Sequence, residues 1–341
     1  MVVIYLRGFS FMFFSAKKLS CYLTALRAYS LPISVMSWTV PFMYAIFDGG
    51  NIFFGVVALF GIIILHLGSN LFDDIADYLI AKRKIEKGIQ KDFNFQSGKC
   101  ICLFNGSLSL KNYIITDVLL FSIAVLIAGF FIFVWGSKLF FVLVPAAILC
   151  LLYPVLGCLG FGEIIIAVIF APLLYMGTYF VMTGEFSFSI LLLSVPTGLL
   201  SVAVLHNHML LDYKLDEKNR KITLCRLCGS LKNAYLLLFL IVVSAYLSII
   251  IFVFTKQLNC IYLLTLLSIP TAYVLLKVMY IHIKSPETLV KPNIFMGDLS
   301  GLKKADKTQK NFLIKFFIVR NLLSLFTLLL CISIAVEKCI L

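Results

Sequence analysis

Three aspartates fall close together at Asp73, Asp74 and Asp77, and two more stand four residues apart at Asp212 and Asp216. On a helix, carboxylates spaced i and i+4 share a face and repel one another. Both groups follow long apolar runs, where desolvation adds to that cost. A bound cation removes the conflict. The ligands on offer are oxygens, with no cysteine and few histidines alongside, which suits Mg2+ rather than zinc. Mg2+ takes one or two carboxylates and completes its shell with water and phosphate oxygens. Cations flank both groups, among them Lys82, Arg83 and Lys84 after the first and Lys214 and Lys221 around the second. Two acidic clusters flanked by cations read as a diphosphate clamp. Because the clamp stands at the mouth of apolar segments, the rest of the ligand is lipidic, which points to an isoprenyl diphosphate. Either cluster alone also reads as an ordinary solvated loop start, its acids balanced by nearby lysines.

The segments that must position these groups belong in a membrane. The chain has 341 residues, of which 62% are hydrophobic and only 13% charged, against about 25% charged in a soluble domain. Apolar runs of roughly 18 or more residues recur, as in spanning helices. The expected fold is an all-α integral membrane protein, a single domain of about nine transmembrane helices over 1–341. The spans expected are 30–47, 52–72, 113–135, 138–156, 162–183, 187–210, 233–255, 261–281 and 312–336. The opening residues "MVVIYLRGFSFMFF" lack a small-residue cleavage site and read as a retained, partly interfacial segment. With nine spans, almost all of the 29 lysines and arginines gather in the N-terminus and in loops 73–112, 211–232 and 282–311. The positive-inside rule then places the N-terminus and the acidic loops in the cytoplasm and the C-terminus outside. The net charge of +13 is thereby a topology signal and implies no nucleic-acid partner. The ten cysteines are scattered, and "CRLC" at 225–228 has the spacing of zinc or redox sites without a second pair.

The two acidic segments resemble the paired motifs of the UbiA superfamily of intramembrane prenyltransferases. "SNLFDDIAD" is similar to the family's Asn-Asp-x-x-Asp element through Asp74 and Asp77, with Asp73 where the family has Asn. "DYKLDEKNRKITL" is similar to its second element through Asp212, Asp216, Lys221, Thr223 and Leu224. "LRAYSLP" at 26–32 and the stretch 153–185 add weaker likeness, over about residues 20–280 in all. The nearest resemblance is to the 1,4-dihydroxy-2-naphthoate polyprenyltransferases of menaquinone synthesis. His208 and Leu211 stand where the family often has Asn and Arg, and the basic loop 282–311 has no counterpart.

The resemblance implies Mg2+-dependent transfer of a polyprenyl group from its diphosphate to an aromatic acceptor. Asp74, Asp77, Asp212 and Asp216 would hold the metal, with Asp73 adding or orienting a ligand. Lys221, with Lys214, Lys82 and Lys99 as helpers, would pair with phosphate oxygens. Tyr153, Tyr175 and Tyr179 are candidate aromatic faces for the allylic cation, or packed bulk. Arg27 would meet the acceptor carboxylate, the diphosphate or lipid headgroups. His206, His208 and Asn70 lie near the acids, placed to orient ligands or to make interhelical hydrogen bonds. Other acceptors fit the same pattern, namely another aromatic acid, haem or a glycerol phosphate lipid. A transporter of cations or acidic metabolites is the reading from another class, although transporters more often hold ionisable groups near the membrane midplane.

Overall fold

A computed structural model describes residues 16–88, 100–218, 221–300, 302 and 307–340, and these contain helices and no strand. The helices are α1 (Ala16–Ala25), α2 (Leu31–Phe47), α3 (Ile52–Glu86), α4 (Ile101–Phe104), α5 (Leu110–Trp135), α6 (Phe140–Gly157) and α7 (Gly162–Val168). They continue as α8 (Leu174–Thr183), α9 (Phe188–Lys218), α10 (Leu224–Leu227), α11 (Leu231–Phe254), α12 (Ile269–Lys284) and α13 (Lys307–Ile340).

Eight continuous helical stretches are long and apolar enough to cross a membrane. One of them, Leu110–Gly157, has 48 residues, about 72 Å of helix at 1.5 Å per residue and more than twice a hydrocarbon core. It breaks at Gly136, whose φ of 72° lies in the left-handed region open to glycine. The neighbours show that the chain reverses there. Along α5, Phe121 lies beside Gly68, Ile127 beside Gly61 and Trp135 beside Phe54, so α5 runs antiparallel to α3. Along α6, Val142 lies beside Gly177 and Tyr153 beside Gly162, so the chain comes back toward the start of α7. Counted as two crossings, this stretch brings the described bundle to nine, matching the sequence expectation.

Most of α9 is buried, while α5 and α6 are largely exposed with Val125, Leu126, Phe133 and Phe141 outward. Exposed apolar surface on that scale needs lipid around it. Helix α9 passes close to the π-helical turn Ile169–Leu173: a Cβ on Gly198 would sit 2.4 Å from Ala171 Cβ, so only glycine fits. The turn contains Pro172, whose missing N–H is tolerated where the hydrogen-bond ladder is already widened.

Two helices outrun their expected spans at the acidic ends. The expected spans 52–72 and 187–210 are Ile52–Glu86 and Phe188–Lys218, so both aspartate groups lie on continuing helix. They also lie at one end of the bundle. Asn51 N–H donates to Met182 O at 2.8 Å, setting the start of α3 level with the end of α8 and hence near the start of α9. Asp73 and Asp212 are each more than 20 residues further along their helices, about 30 Å or more. The chain after α12 is folded back onto α13: Asn321 Nδ2 donates to Met296 O (2.7 Å) and to Asp298 O (2.8 Å), and Lys315 Nζ to Pro286 O (2.9 Å).

Candidate functional site

The first acidic segment is built by α3 and a strap laid over it from the N-terminal side. After α1 the backbone turns at Arg27 in the left-handed region, with φ 49° and ψ 44°. That turn aims the guanidinium at α3, where Nη2 donates to Asp73 Oδ2 at 2.9 Å and to Asp74 Oδ1. The turn itself is pinned. Ser30 Oγ donates to Arg27 O (2.8 Å), and Asn70 Nδ2 donates to Leu26 O (3.1 Å) and Ser30 Oγ (3.2 Å). His66 then bridges Ser30 (2.9 Å) and Ser34. Asp74 is wholly buried, and Oδ2 also accepts from the backbone N–H of Cys100 at 3.0 Å. Cys100 has φ 52°, and its thiol donates to Asp74 O at 3.1 Å. Burial opposes the Arg27 charge, but the carboxylates of Asp73 and Asp74 outweigh it and hold the guanidinium above its ordinary value. A small core of Ala25, Leu71, Ile75, Cys100, Cys102 and Leu103 supports the arrangement.

The second segment is one turn of α9 with a different supporting cast. Asp212 and Asp216 are both buried. His208 Nε2 lies 3.4 Å from Asp212 Oδ2, and its ring packs edge-on to Phe312 and Phe316 of α13. Beyond α9 the chain returns as a second strap. Lys221 N–H donates to Asp216 O at 2.9 Å, and Arg226 Nη1 donates to Lys221 O at 2.8 Å. Thr223 caps α10 by accepting the Arg226 N–H.

Helices α2 and α8 each pack against both α3 and α9. Among the other residues singled out from the sequence, Asp77 is half-buried one turn after Asp73, and Tyr153 is half-buried beside Gly162 at this end. Tyr175 is wholly buried in the main core. Tyr179 is not brought to this end: its hydroxyl donates to Asp48 Oδ2 at 2.8 Å, level with the start of α3. Lys82 is exposed and faces Glu86 at 4.0 Å, and Lys214 is exposed near His282. Lys99 lies outside the described residues. Sequence reasoning missed Ser30, Ser34, His66, Cys100 and Arg226. Only His66 carried a signal, a polar residue in an apolar run, two helical turns before Asp73 and so on its face.

The donor set at this end fits a hard divalent cation. Four buried carboxylates, Asp73, Asp74, Asp212 and Asp216, with Asp77 beside them, supply oxygen and no sulfur. Buried carboxylates on one helical face repel, and a divalent ion with a phosphate ligand turns that repulsion into binding.

The family model described as the UbiA prenyltransferase family matches residues 30–296. No curated protein matches this sequence. Solved structures do. A digeranylgeranylglyceryl phosphate synthase matches with a TM-score of 0.59 at 14% identity, over 93% of this chain and 99% of that one. A UbiA homolog from Archaeoglobus fulgidus bound to GPP and Mg2+ matches with a TM-score of 0.58 at 13% identity, over 92% and 99%. The apo structure of a UbiA homolog from Aeropyrum pernix K1 matches with a TM-score of 0.53 at 14% identity, over 89% and 98%.

Proposed function

The chain belongs to the UbiA prenyltransferase family, and from that premise we propose that it transfers a polyprenyl group from a polyprenyl diphosphate to a small aromatic acceptor, 1,4-dihydroxy-2-naphthoate, in menaquinone synthesis. The observation that carries the diphosphate half of this reading is the pair of buried aspartate segments, Asp73–Asp74 and Asp212–Asp216, at one end of the bundle. The homolog bound to GPP and Mg2+ supports the same half. The aromatic half rests on the chain's nearest resemblance, over about residues 20–280, being to the naphthoate enzymes.

In this mechanism Asp74, Asp77, Asp212 and Asp216, with Asp73 beside them, would hold Mg2+, which would supply Lewis-acid stabilisation of the departing diphosphate. Lys221 is carried by the strap tied to Asp216 O and would pair with phosphate oxygens, with Lys214, Lys82 and Lys99 as helpers. The allylic C–O bond breaks with its electron pair going to the diphosphate, the acceptor carbon supplies the pair that forms the new C–C bond, and that carbon then loses the group it carried, a proton or, from a carboxylated carbon, carbon dioxide. Tyr153, half-buried at this end, offers a ring face to the allylic cation. Arg27 is a positioning residue: it fixes the Asp73 and Asp74 carboxylates against α3. The lysines and arginines of the loops at this end support an orientation in which it and the N-terminus face the cytoplasm at the inner membrane and the C-terminus lies outside.

The test incubates membranes holding the protein with Mg2+, a labelled polyprenyl diphosphate and a panel of acceptors: the naphthoate, another aromatic acid, haem and a glycerol phosphate lipid. Prenylated naphthoate, lost in Asp74→Ala and Asp212→Ala, is the expected result. Prenylation of a different acceptor alone overturns the menaquinone assignment. Failure to prenylate any acceptor or release diphosphate overturns the transfer itself.

A further inference from the structure

Three residues outside the aspartate segments converge where no part of the proposed transfer needs them. Glu163 opens α7, His206 lies on α9 six residues before Asp212, and Cys225 sits in α10; all three are buried. Their ligand atoms lie within 4.8 Å of one another. His206 Nδ1 is 3.4 Å from Glu163 Oε1 and 3.4 Å from Cys225 Sγ.

The other ring nitrogen decides what Nδ1 presents. Nε2 lies 2.9 Å from Ala234 O, and a carbonyl only accepts, so Nε2 carries the proton. In the neutral ring Nδ1 then turns its lone pair toward the Glu163 carboxylate, and Cys225 Sγ lies beside the ring, 3.4 Å from Nδ1, 3.5 Å from Nε2 and 3.5 Å from His206 O. Three electron-pair donors meeting inside a membrane bundle are costly unless a cation sits among them. A second thiol is at hand. Cys228 follows Cys225 at C-x-x-C spacing on the end of α10.

We infer that Glu163, His206 and Cys225, with Cys228 as fourth ligand, form a second metal site that takes Zn2+ and is distinct from the aspartate end. The nitrogen, sulfur and oxygen donors are those of zinc rather than magnesium. Zinc bonds of about 2.0–2.1 Å to N and O and about 2.3 Å to S put tetrahedral ligand atoms roughly 3.3–3.6 Å apart. Both edges at His206 Nδ1, 3.4 Å each, already have that length. The sequence offered only half a site in "CRLC"; the fold supplies the histidine and the carboxylate from α9 and α7. The ion would be structural. It fastens α10, and through Arg226 and Lys221 the strap bonded to Asp216 O, onto α7 and α9.

The test measures zinc in the full-length chain purified in detergent, then titrates the metal-stripped chain with Co2+ and reads the near-ultraviolet thiolate-to-cobalt band. The expected result is about one zinc per chain and a cobalt–thiolate band. Both are lost in His206→Ala and Cys225→Ser and kept in Asp74→Ala. A folded wild-type chain with neither zinc nor the band overturns the inference, because a His206–Glu163 ion pair with a protonated thiol would behave so. Zinc retained in Cys225→Ser but lost in Asp74→Ala also overturns it. Neither readout depends on turnover, so failure of this inference leaves the transfer reading untouched.

Discussion

Two groups of potential ligands share one end of the bundle and differ in nearly every physical respect. The aspartates present only oxygen, on the exposed-end turns of two long helices, and their supports are straps: Arg27 and Cys100 over Asp74, Lys221 and Arg226 over Asp216. Glu163, His206 and Cys225 present oxygen, nitrogen and sulfur and are closed in by α7, α9 and α10. Hard ligands at a mouth suit an ion that keeps open positions for water and phosphate. Mixed ligands in a closed pocket suit an ion that is fully coordinated by protein and does not react. On the two proposed readings the difference would separate a place for chemistry from a place for rigidity, even though Asp212 and His206 stand on the same helix six residues apart.

The largest effect expected from this division is on turnover. Asp74→Ala is expected to lower prenyl transfer by roughly a thousand-fold, the scale of losing a group that stabilises transition-state charge, while zinc content stays unchanged. Loss of zinc along with activity would merge the two groups into one site. Next comes Arg27→Ala, which leaves Asp73 and Asp74 buried without their guanidinium. Breaking a buried pair from one side costs about 3–5 kcal/mol, read as a lower unfolding midpoint in detergent. Arg27→Lys is expected to fall between wild type and Arg27→Ala, since it keeps the charge but its shorter stem does not carry the ammonium to where Nη2 bonds both carboxylates. Added Mg2+ is expected to raise the Arg27→Ala midpoint more than the wild-type one, because the same carboxylates then gain a counter-charge. Equal shifts would detach the metal from Asp73 and Asp74. For the closed group, phenanthroline is expected to lower the midpoint by several degrees, corresponding to about 1–2 kcal/mol in a chain of this size, and to spare Cys225→Ser.

How much of this could be read from the sequence follows from distance along the chain. Asp73 and Asp77, and Asp212 and Asp216, are i and i+4 pairs at the ends of apolar runs, a local pattern visible without a fold. The nine crossings were equally local, set by apolar length and by where lysine and arginine gather. The helix ends were not. Past Asp77 the chain reads Ala-Lys-Arg-Lys-Ile-Glu, good helix formers that a search for apolar runs ends too early. Arg27 was a candidate from its place at the start of the first span, but its pairing with Asp73 and Asp74 was not legible, because an arginine in the left-handed region follows no local rule. The Cys100 contact to Asp74 is a backbone N–H, which any residue could supply. Tyr179 looked like its neighbour Tyr175, yet one helical turn carries its hydroxyl to Asp48 at the far end. Glu163, His206 and Cys225 come from three separated segments, and only the fold joins them.

The far end supplies the control, and the smallest effect. There Asp48 accepts from Tyr179 Oη at 2.8 Å and from Lys338 Nζ at 2.7 Å, Lys338 lies 4.3 Å from the centre of the Tyr44 ring, and Tyr262 donates to Glu337 at 2.6 Å. This network ties the ends of α2, α8 and α13 together with one cation to one aspartate, and needs no metal to balance it. Asp48 and Lys338 are each about a quarter exposed, so solvent screens their attraction and the pair is worth about 1 kcal/mol or less. Lys338→Ala is therefore expected to lower the unfolding midpoint slightly, with prenyl transfer and zinc content both unchanged. A combined Lys338→Ala and Asp48→Asn variant should lose little more than the larger single effect, because the two side chains share one interaction. If Lys338→Ala instead stopped transfer as Asp74→Ala does, charge at the far end would be part of the reaction, and placing the chemistry at the aspartate mouth alone would be wrong.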